Sequence, residues 1–300
     1  MPAVLNVNRL LDPAVLAEVS GLDLVAKTLV DGFIAGLHRS PDFGFSQEFA
    51  EYRAYTPGDD LRHIDWNIFA RTERAYLKRY RGETNTAVNV VLDTSASMGF
   101  SSGKLTKMDY AKYLAAALVY LANLQRDSAG LIVFHEQVTN FVAPSSRQGQ
   151  LMRLLHAIER ASPSEKTDLK KPLFELQQFL KRRGITVVIS DFFEEAASVI
   201  ETVKPLRFRG NEVVLFHILD PIEIDPKIGD TALLIDLETG ESMETSGDYA
   251  RDEYPAKVKA HIGRLQTGAQ AAGIDYCLLR TDRPLDGALR EYFAVRQGRM

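Results

Sequence analysis

The stretch Ala87-Val88-Asn89-Val90-Val91-Leu92 runs straight into Asp93-Thr94-Ser95-Ala96-Ser97-Met98, and its reading decides the fold. The first half is short and mostly apolar, the pattern of a strand buried on both faces. The second half sets a carboxylate and two hydroxyls at alternate positions just past that strand, where all three can point at one spot. Their oxygens are hard ligands, suited to Mg²⁺, Mn²⁺ or Ca²⁺ rather than to zinc. Two later loops repeat the chemistry: Thr167 precedes a helical pattern that begins at Leu169, and Asp191 follows Ile185–Ser190.

From residue 87 onward, apolar runs alternate with helical periodicity. Ala129–Phe134, Ile185–Ser190, Val213–Leu219 and Ile274–Leu279 read as further buried strands, and Gln137–Val142 as a less buried edge strand. Leu114, Leu118 and Leu121 share one face of a helix near 107–124. The same spacing predicts helices near 148–161 and 168–182, a late helix through Val258, Ile262 and Leu265, and a final one through Leu289, Tyr292 and Phe293. The expected fold is α/β, a doubly wound, mostly parallel sheet of the Rossmann type. Ligands of such sheets bind outside the carboxyl ends of the strands, where Asp93 and Asp191 fall.

Residues 1–86 break this rhythm. Two helical patterns, about 13–19 and 22–37, precede the segment 44–83, dense in charge, aromatics and turn residues. The sequence thus divides into an N-terminal helical and Arg/Asp-rich α+β region, 1–86, packed on an α/β domain, 87–300. Turn residues across 221–254, with Ala232–Leu237 as a strand, mark an insertion or hairpin excursion within that domain.

A chain of 300 residues with 45% hydrophobic and 25% charged content is an ordinary globular composition, and a net charge of -4 favours neither nucleic acid nor an anionic membrane surface. The single cysteine, Cys277, excludes an internal disulfide and a cysteine-built zinc site, and fits a reducing compartment. The N-terminus lacks the pattern of a signal peptide, and the apolar stretch 113–125 is shorter than the roughly 20 residues of a membrane span. The expectation is a cytoplasmic chain without membrane insertion.

Each of Asp93, Ser95, Ser97, Thr167 and Asp191 taken alone is a good helix cap. Taken together, they resemble the metal-ion-dependent adhesion site of von Willebrand factor A domains. In that family an Asp-x-Ser-x-Ser loop, a later Thr and a later Asp hold Mg²⁺ or Mn²⁺, and the ion is completed by an Asp or Glu of a partner protein. The resemblance implies the same roles for Asp93, Ser95, Ser97, Thr167 and Asp191. One departure stands out: the family often has Gly after the last Asp, and here Phe192 follows.

The run Glu48-Phe49 … Arg53-Ala54-Tyr55-Thr56-Pro57-Gly58-Asp59-Asp60-Leu61-Arg62-His63-Ile64-Asp65-Trp66 resembles the signature of the bacterial domain-of-unknown-function family fifty-eight. Members are commonly encoded beside MoxR-type AAA+ ATPases, so the resemblance implies such an ATPase as a partner and an unknown client offering an acidic residue. The alternating Arg53, Asp60, Arg62 and Asp65 read either as an ion-pair clamp, with Trp66 as its buried anchor, or as a recognition surface. Lys78-Arg79-Tyr80-Arg81 reads as a solvated face.

Motifs for other chemistry are missing. His135-Glu136 lacks the second histidine of a zinc protease, and neither a phosphate-binding loop nor a Gly-x-Ser-x-Gly elbow occurs. His156 falls beside the apolar face of a helix, the place of a structural histidine. The expectation is a non-enzymatic, Mg²⁺- or Mn²⁺-dependent interaction module, an adaptor for the ATPase in assembling or maturing another complex. The alternative is a Mg²⁺-dependent hydrolase on the same site, with Glu194 or Glu195 as base. A vestigial site in a structural module is the third possibility.

Overall fold

The computed structural model describes residues 13–19, 21–37, 49–55, 66–72, 74–80, 86–164, 183–208, 210–226, 231–235, 242–246 and 253–297, with Pro172, Glu175 and Tyr249 besides. The chain divides into two compact units, Ile34–Asn85 and the remainder.

In the smaller unit, β1 (Phe49–Ala54) pairs antiparallel with β2 (Tyr76–Tyr80), and the helix Trp66–Thr72 lies between them in sequence. Trp66 is 59% exposed, its ring edge-on to Phe69 at 5.9 Å. The buried anchor expected of this residue is therefore incorrect: the indole sits with Phe69 on the outer side of a two-turn helix. Asp59, Asp60, Arg62 and Asp65 lie outside the described residues, and the clamp expected of them with them.

The larger unit holds a six-stranded sheet. Its strands are β3 (Ala87–Asp93), β4 (Ser128–Phe134), β5 (Val138–Ser145), β6 (Gly184–Ser190), β7 (Glu212–Leu219) and β10 (Asp275–Arg280), in the order β10-β7-β6-β3-β4-β5. All pairings are parallel except that of the half-exposed edge strand β5, which runs antiparallel to β4. Every residue of β3, β4 and β6 is buried, as expected of strands covered on both faces by helices. The hairpin β8 (Thr231–Ile235) and β9 (Ser242–Ser246) is the excursion anticipated within 221–254.

Helix Lys107–Leu124 starts at a capping box, in which the Thr106 hydroxyl accepts from Asp109 N and Asp109 accepts from Thr106 N. It packs on Gln150–Arg160, while Ala196–Phe208 packs on Tyr254–Ala271. The last pair closes over Val91, Ile132, Val188 and Leu215 with the buried residues Val199, Val203, Leu206, Leu265 and Ala269. Helix Leu22–Leu37 buries Val25, Ala26, Leu29, Val30 and Phe33, and the Phe33 ring stacks at 5.2 Å on Phe293 of the final helix, Asp286–Gln297. The expected 168–182 helix lies outside the described residues apart from Pro172 and Glu175, both helical. Among the described residues no helix is long and apolar enough to cross a membrane.

Two features of the backbone bring the site together. From β3 the chain steps to β4 on one side, and after β5 it returns to β6 on the other, so the carboxyl ends of β3 and β6 flank the switch point of the sheet. The two strands also run unusually close at their start: a Cβ on Gly184 would lie 1.9 Å from the Ala87 carbonyl oxygen, so only glycine fits. The register that follows sets Leu92 beside Ile189, which brings Asp93 level with Ser190.

Candidate metal centre

Asp93 is 1% exposed at the end of β3. One carboxylate oxygen accepts from Ser95 N at 2.8 Å, and the other accepts from the Ser190 hydroxyl at 2.5 Å. Ser190 Oγ in turn accepts from Phe192 N at 3.1 Å, so a single hydroxyl ties the two loops together. Thr94 donates to the Phe134 carbonyl at 2.8 Å and anchors the turn to β4. Past the strand the chain enters a short 3₁₀ turn, Ala96–Gly99, with Ser95 at its N-cap position. The Ser95 side chain makes no capping bond there. Instead, the Ser95 and Ser97 hydroxyls are hydrogen-bonded to each other at 3.0 Å.

That separation tests whether the donors fit a hard cation. Adjacent oxygens in an octahedral Mg²⁺ shell, with bonds of about 2.0–2.1 Å, are about 2.9 Å apart. The hydrogen-bonded hydroxyls of Ser95 and Ser97 thus stand at a spacing that an octahedral edge would also accept, with the carboxylates of Asp93 and Asp191 buried nearby. Among the described residues no group of three or more His, Cys, Asp or Glu side chains is placed to hold a metal ion, so a cation here would depend on the hydroxyls as ligands. Thr167 lies outside the described residues. The chain leading to it is tied to the site three residues earlier, where Ser164 N donates to the Thr94 carbonyl at 2.8 Å.

Burial, and next the charge of Asp191, push the Asp93 carboxyl up from 3.8 to about 7. The Asp191 charge thus disfavours the ionised form of Asp93. Asp191, 3% exposed, is compensated from elsewhere: Lys107 Nζ donates to its Oδ2 at 2.7 Å and to Glu223 Oε1 at 2.6 Å. The Lys107 side chain is 0% exposed, and the Phe193 ring lies 4.5 Å from its ammonium. Burial pulls that ammonium down, but the charges of Asp191 and Glu223 outweigh the pull and hold it above its ordinary value.

The end of β7 completes the surroundings. Asp220 caps the four-residue helix Pro221–Ile224, accepts from Ser102 N at 3.0 Å, and bonds the Ser102 and Thr281 hydroxyls. This carboxylate ties the loop after the Asp-x-Ser-x-Ser turn to the ends of β7 and β10. His217 is buried beneath Phe192, their rings edge to face at 5.7 Å, with Nδ1 2.6 Å from the Tyr276 hydroxyl. Burial and, next, His261 hold it at about 3, so it stays neutral.

Phe192 takes the place at which the resembling family often carries glycine, and its φ is +43°. The loop thus keeps the left-handed turn that glycine adopts without cost, while the side chain is fully buried in the core. The candidate bases differ in setting, Glu194 being half-buried and Glu195 exposed. His156 is not a core residue; it is largely exposed and 4.0 Å from Glu159. Lys107 and Glu223 escaped the sequence reading. Their signals were a lysine on the buried stripe of a helix and the Asp220-x-x-Glu223 capping box after a strand.

The mixed sheet, with its Asp-x-Ser-x-Ser turn at the switch point, has the fold that the von Willebrand factor A resemblance implies. The family described as "Protein of unknown function DUF58" matches residues 51–264, and the chain belongs to it. The uncharacterized protein Rv1480 of Mycobacterium tuberculosis (strain H37Rv) is 31% identical over 293 residues, covering 95% of this chain and 91% of the relative. Among solved structures, the conserved hypothetical protein BatB from Bacteroides thetaiotaomicron is similar in fold, with a TM-score of 0.50 at 20% identity, over 71% of this chain and 99% of that one. The SpRpn10 VWA domain matches more loosely, with a TM-score of 0.39 at 11% identity, over 68% of this chain and 93% of that one.

Proposed function

We propose that this chain is a metal-dependent protein–protein interaction module, a cytoplasmic adaptor that works with a MoxR-type AAA+ ATPase in assembling or maturing another protein complex. The observation that supports the metal dependence is the cluster of hard oxygen donors, the hydrogen-bonded hydroxyls of Ser95 and Ser97 beside the two buried carboxylates of Asp93 and Asp191. In this reading Ser95, Ser97 and Thr167 are neutral ligands, and Asp93 and Asp191 supply the charge. Mg²⁺ or Mn²⁺, when bound, offers a Lewis-acidic position that accepts a carboxylate from the partner. The chain's residues orient that position: Asp93 is fixed by Ser95 N and Ser190, and Asp191 by Lys107. The ATPase as partner rests on the family resemblance, and catalysis is no part of the proposal.

Affinity capture from cells tests it. Tagged wild type in Mg²⁺ is expected to retain a defined partner that both chelator and Ser95→Ala release. Retention that ignores both treatments, or steady turnover of phosphoester substrates by the purified chain, would overturn the adaptor reading.

A further inference from the structure

The chain carries a cation of its own against the metal centre. Lys107 Nζ sits 2.7 Å from Asp191 Oδ2 and 2.6 Å from Glu223 Oε1, with its side chain 0% exposed. The exposed ring of Phe193, the second residue after Asp191, lies 4.5 Å from the ammonium, and the Phe100 ring 5.9 Å from it. Desolvating an ammonium is costly, and an apolar side chain would fill the same space without that cost. A purely structural reason for a lysine at the first turn of Lys107–Leu124 is therefore weak, and its placement on a candidate ligand matters. Resting on the metal-site reading above, we propose that Lys107 is a positioning residue for the site: a tethered counter-cation that holds Asp191 and weakens its grip on a divalent ion, with Glu223 setting how much of the lysine's charge Asp191 feels.

The electrostatics give the two partners opposite effects. Asp191 divides its charge between Lys107 and any ion at Ser95 and Ser97, so the lysine lowers divalent affinity and keeps the ion exchangeable. Glu223 draws on the same ammonium. Removing the glutamate's charge throws the lysine wholly onto Asp191, whereas removing the lysine frees Asp191 and adds an uncompensated Glu223 carboxylate nearby. The tether also holds Asp191 in place when no ion is present, through the 2.7 Å contact of its Oδ2 with Lys107 Nζ.

Calorimetric titration of the full chain with MnCl₂ tests this on four proteins: wild type, Ser97→Ala, Lys107→Met and Glu223→Gln. Lys107→Met is expected to bind Mn²⁺ at least about tenfold more tightly than wild type, and Glu223→Gln several-fold more weakly. In chelator Lys107→Met should melt below wild type and recover on Mn²⁺ addition, because the ion replaces the missing charge. A merely structural Asp191–Lys107–Glu223 triad would lower stability in both variants and leave Mn²⁺ affinity unchanged. Wild-type binding that is lost in Ser97→Ala yet unchanged in both triad variants would overturn the role of Lys107 and leave the metal site standing. If Lys107→Met does not fold, Glu223→Gln decides alone: weaker binding supports the proposal and unchanged binding overturns it. Equal Mn²⁺ binding by wild type and Ser97→Ala, or none by any of the four, would sink the metal-site reading and this inference with it.

Discussion

Asp93→Asn is expected to abolish divalent-ion binding and, in chelator at neutral pH, to raise the stability of the fold. The carboxyl is buried, and its value of about 7 lies above the ordinary 3.8. Between those pH values the folded chain keeps a proton that the unfolded chain has released. Stability from this group is therefore greatest below about pH 4 and is lost as pH rises to about 7. Asparagine never ionises; its oxygen can accept from Ser95 N, and its amide can donate to Ser190 Oγ. The gain above pH 7 should be on the order of 2–4 kcal/mol, or roughly 5–10 °C in melting temperature. Near pH 4 the two proteins should converge. Melting curves at pH 4 and pH 8 in chelator check this, and an equal wild-type-to-variant difference at both would contradict a strained carboxylate. A buried carboxylate that costs stability in the ion-free fold would gain a compensating charge from a bound cation.

The second large effect falls at Phe192. Its side chain is 0% exposed among Val91, Ile132, Val188 and Val199, while its backbone is left-handed at φ +43°. Phe192→Ala should cost about 3–5 kcal/mol through the cavity left beneath the site. Phe192→Gly removes one carbon more, yet it releases a backbone conformation that costs an L-residue about 1–2 kcal/mol. The glycine variant should therefore be at least as stable as the alanine variant, the reverse of the order that size alone gives. Denaturant titration of both decides it; a glycine variant less stable than alanine by 1 kcal/mol or more would mean that the turn carries no strain.

The sheet was legible because burial on both faces leaves one signature. Ala87–Asp93 and Gly184–Ser190 extend their expected runs by a single residue each, and Asp275–Arg280 is displaced by one. Helix Lys107–Leu124 was legible from its leucine spacing. Ala196–Phe208 was not assigned, although Ala196, Val199, Val203 and Leu206 recur at helical spacing; Pro205 stands inside this helix and hides it from a reading that takes proline as a stop. Of the site, the Asp93 turn and Asp191 could be read, since oxygen ligands after a strand form a local pattern. Lys107 and Glu223 could not be paired, because residues 107 and 223 meet only once β3, β6 and β7 lie side by side. Trp66 misled for a related reason: a large aromatic is most often buried, and only tertiary placement shows that this one is exposed.

The most direct measurement of the central claim is a titration of a purified MoxR-type ATPase, or of a client captured with the chain, against wild type and Ser95→Ala, each in Mg²⁺ and in chelator. Ser95→Ala removes a hydroxyl ligand and no charge, so long-range electrostatics stay the same across the comparison. Tight binding is expected only for wild type in Mg²⁺, lost in the other three combinations and restored to chelated wild type by excess Mg²⁺. Equal affinity in all four would mean that the Asp-x-Ser-x-Ser turn merely shapes the end of β3 and that partners dock elsewhere.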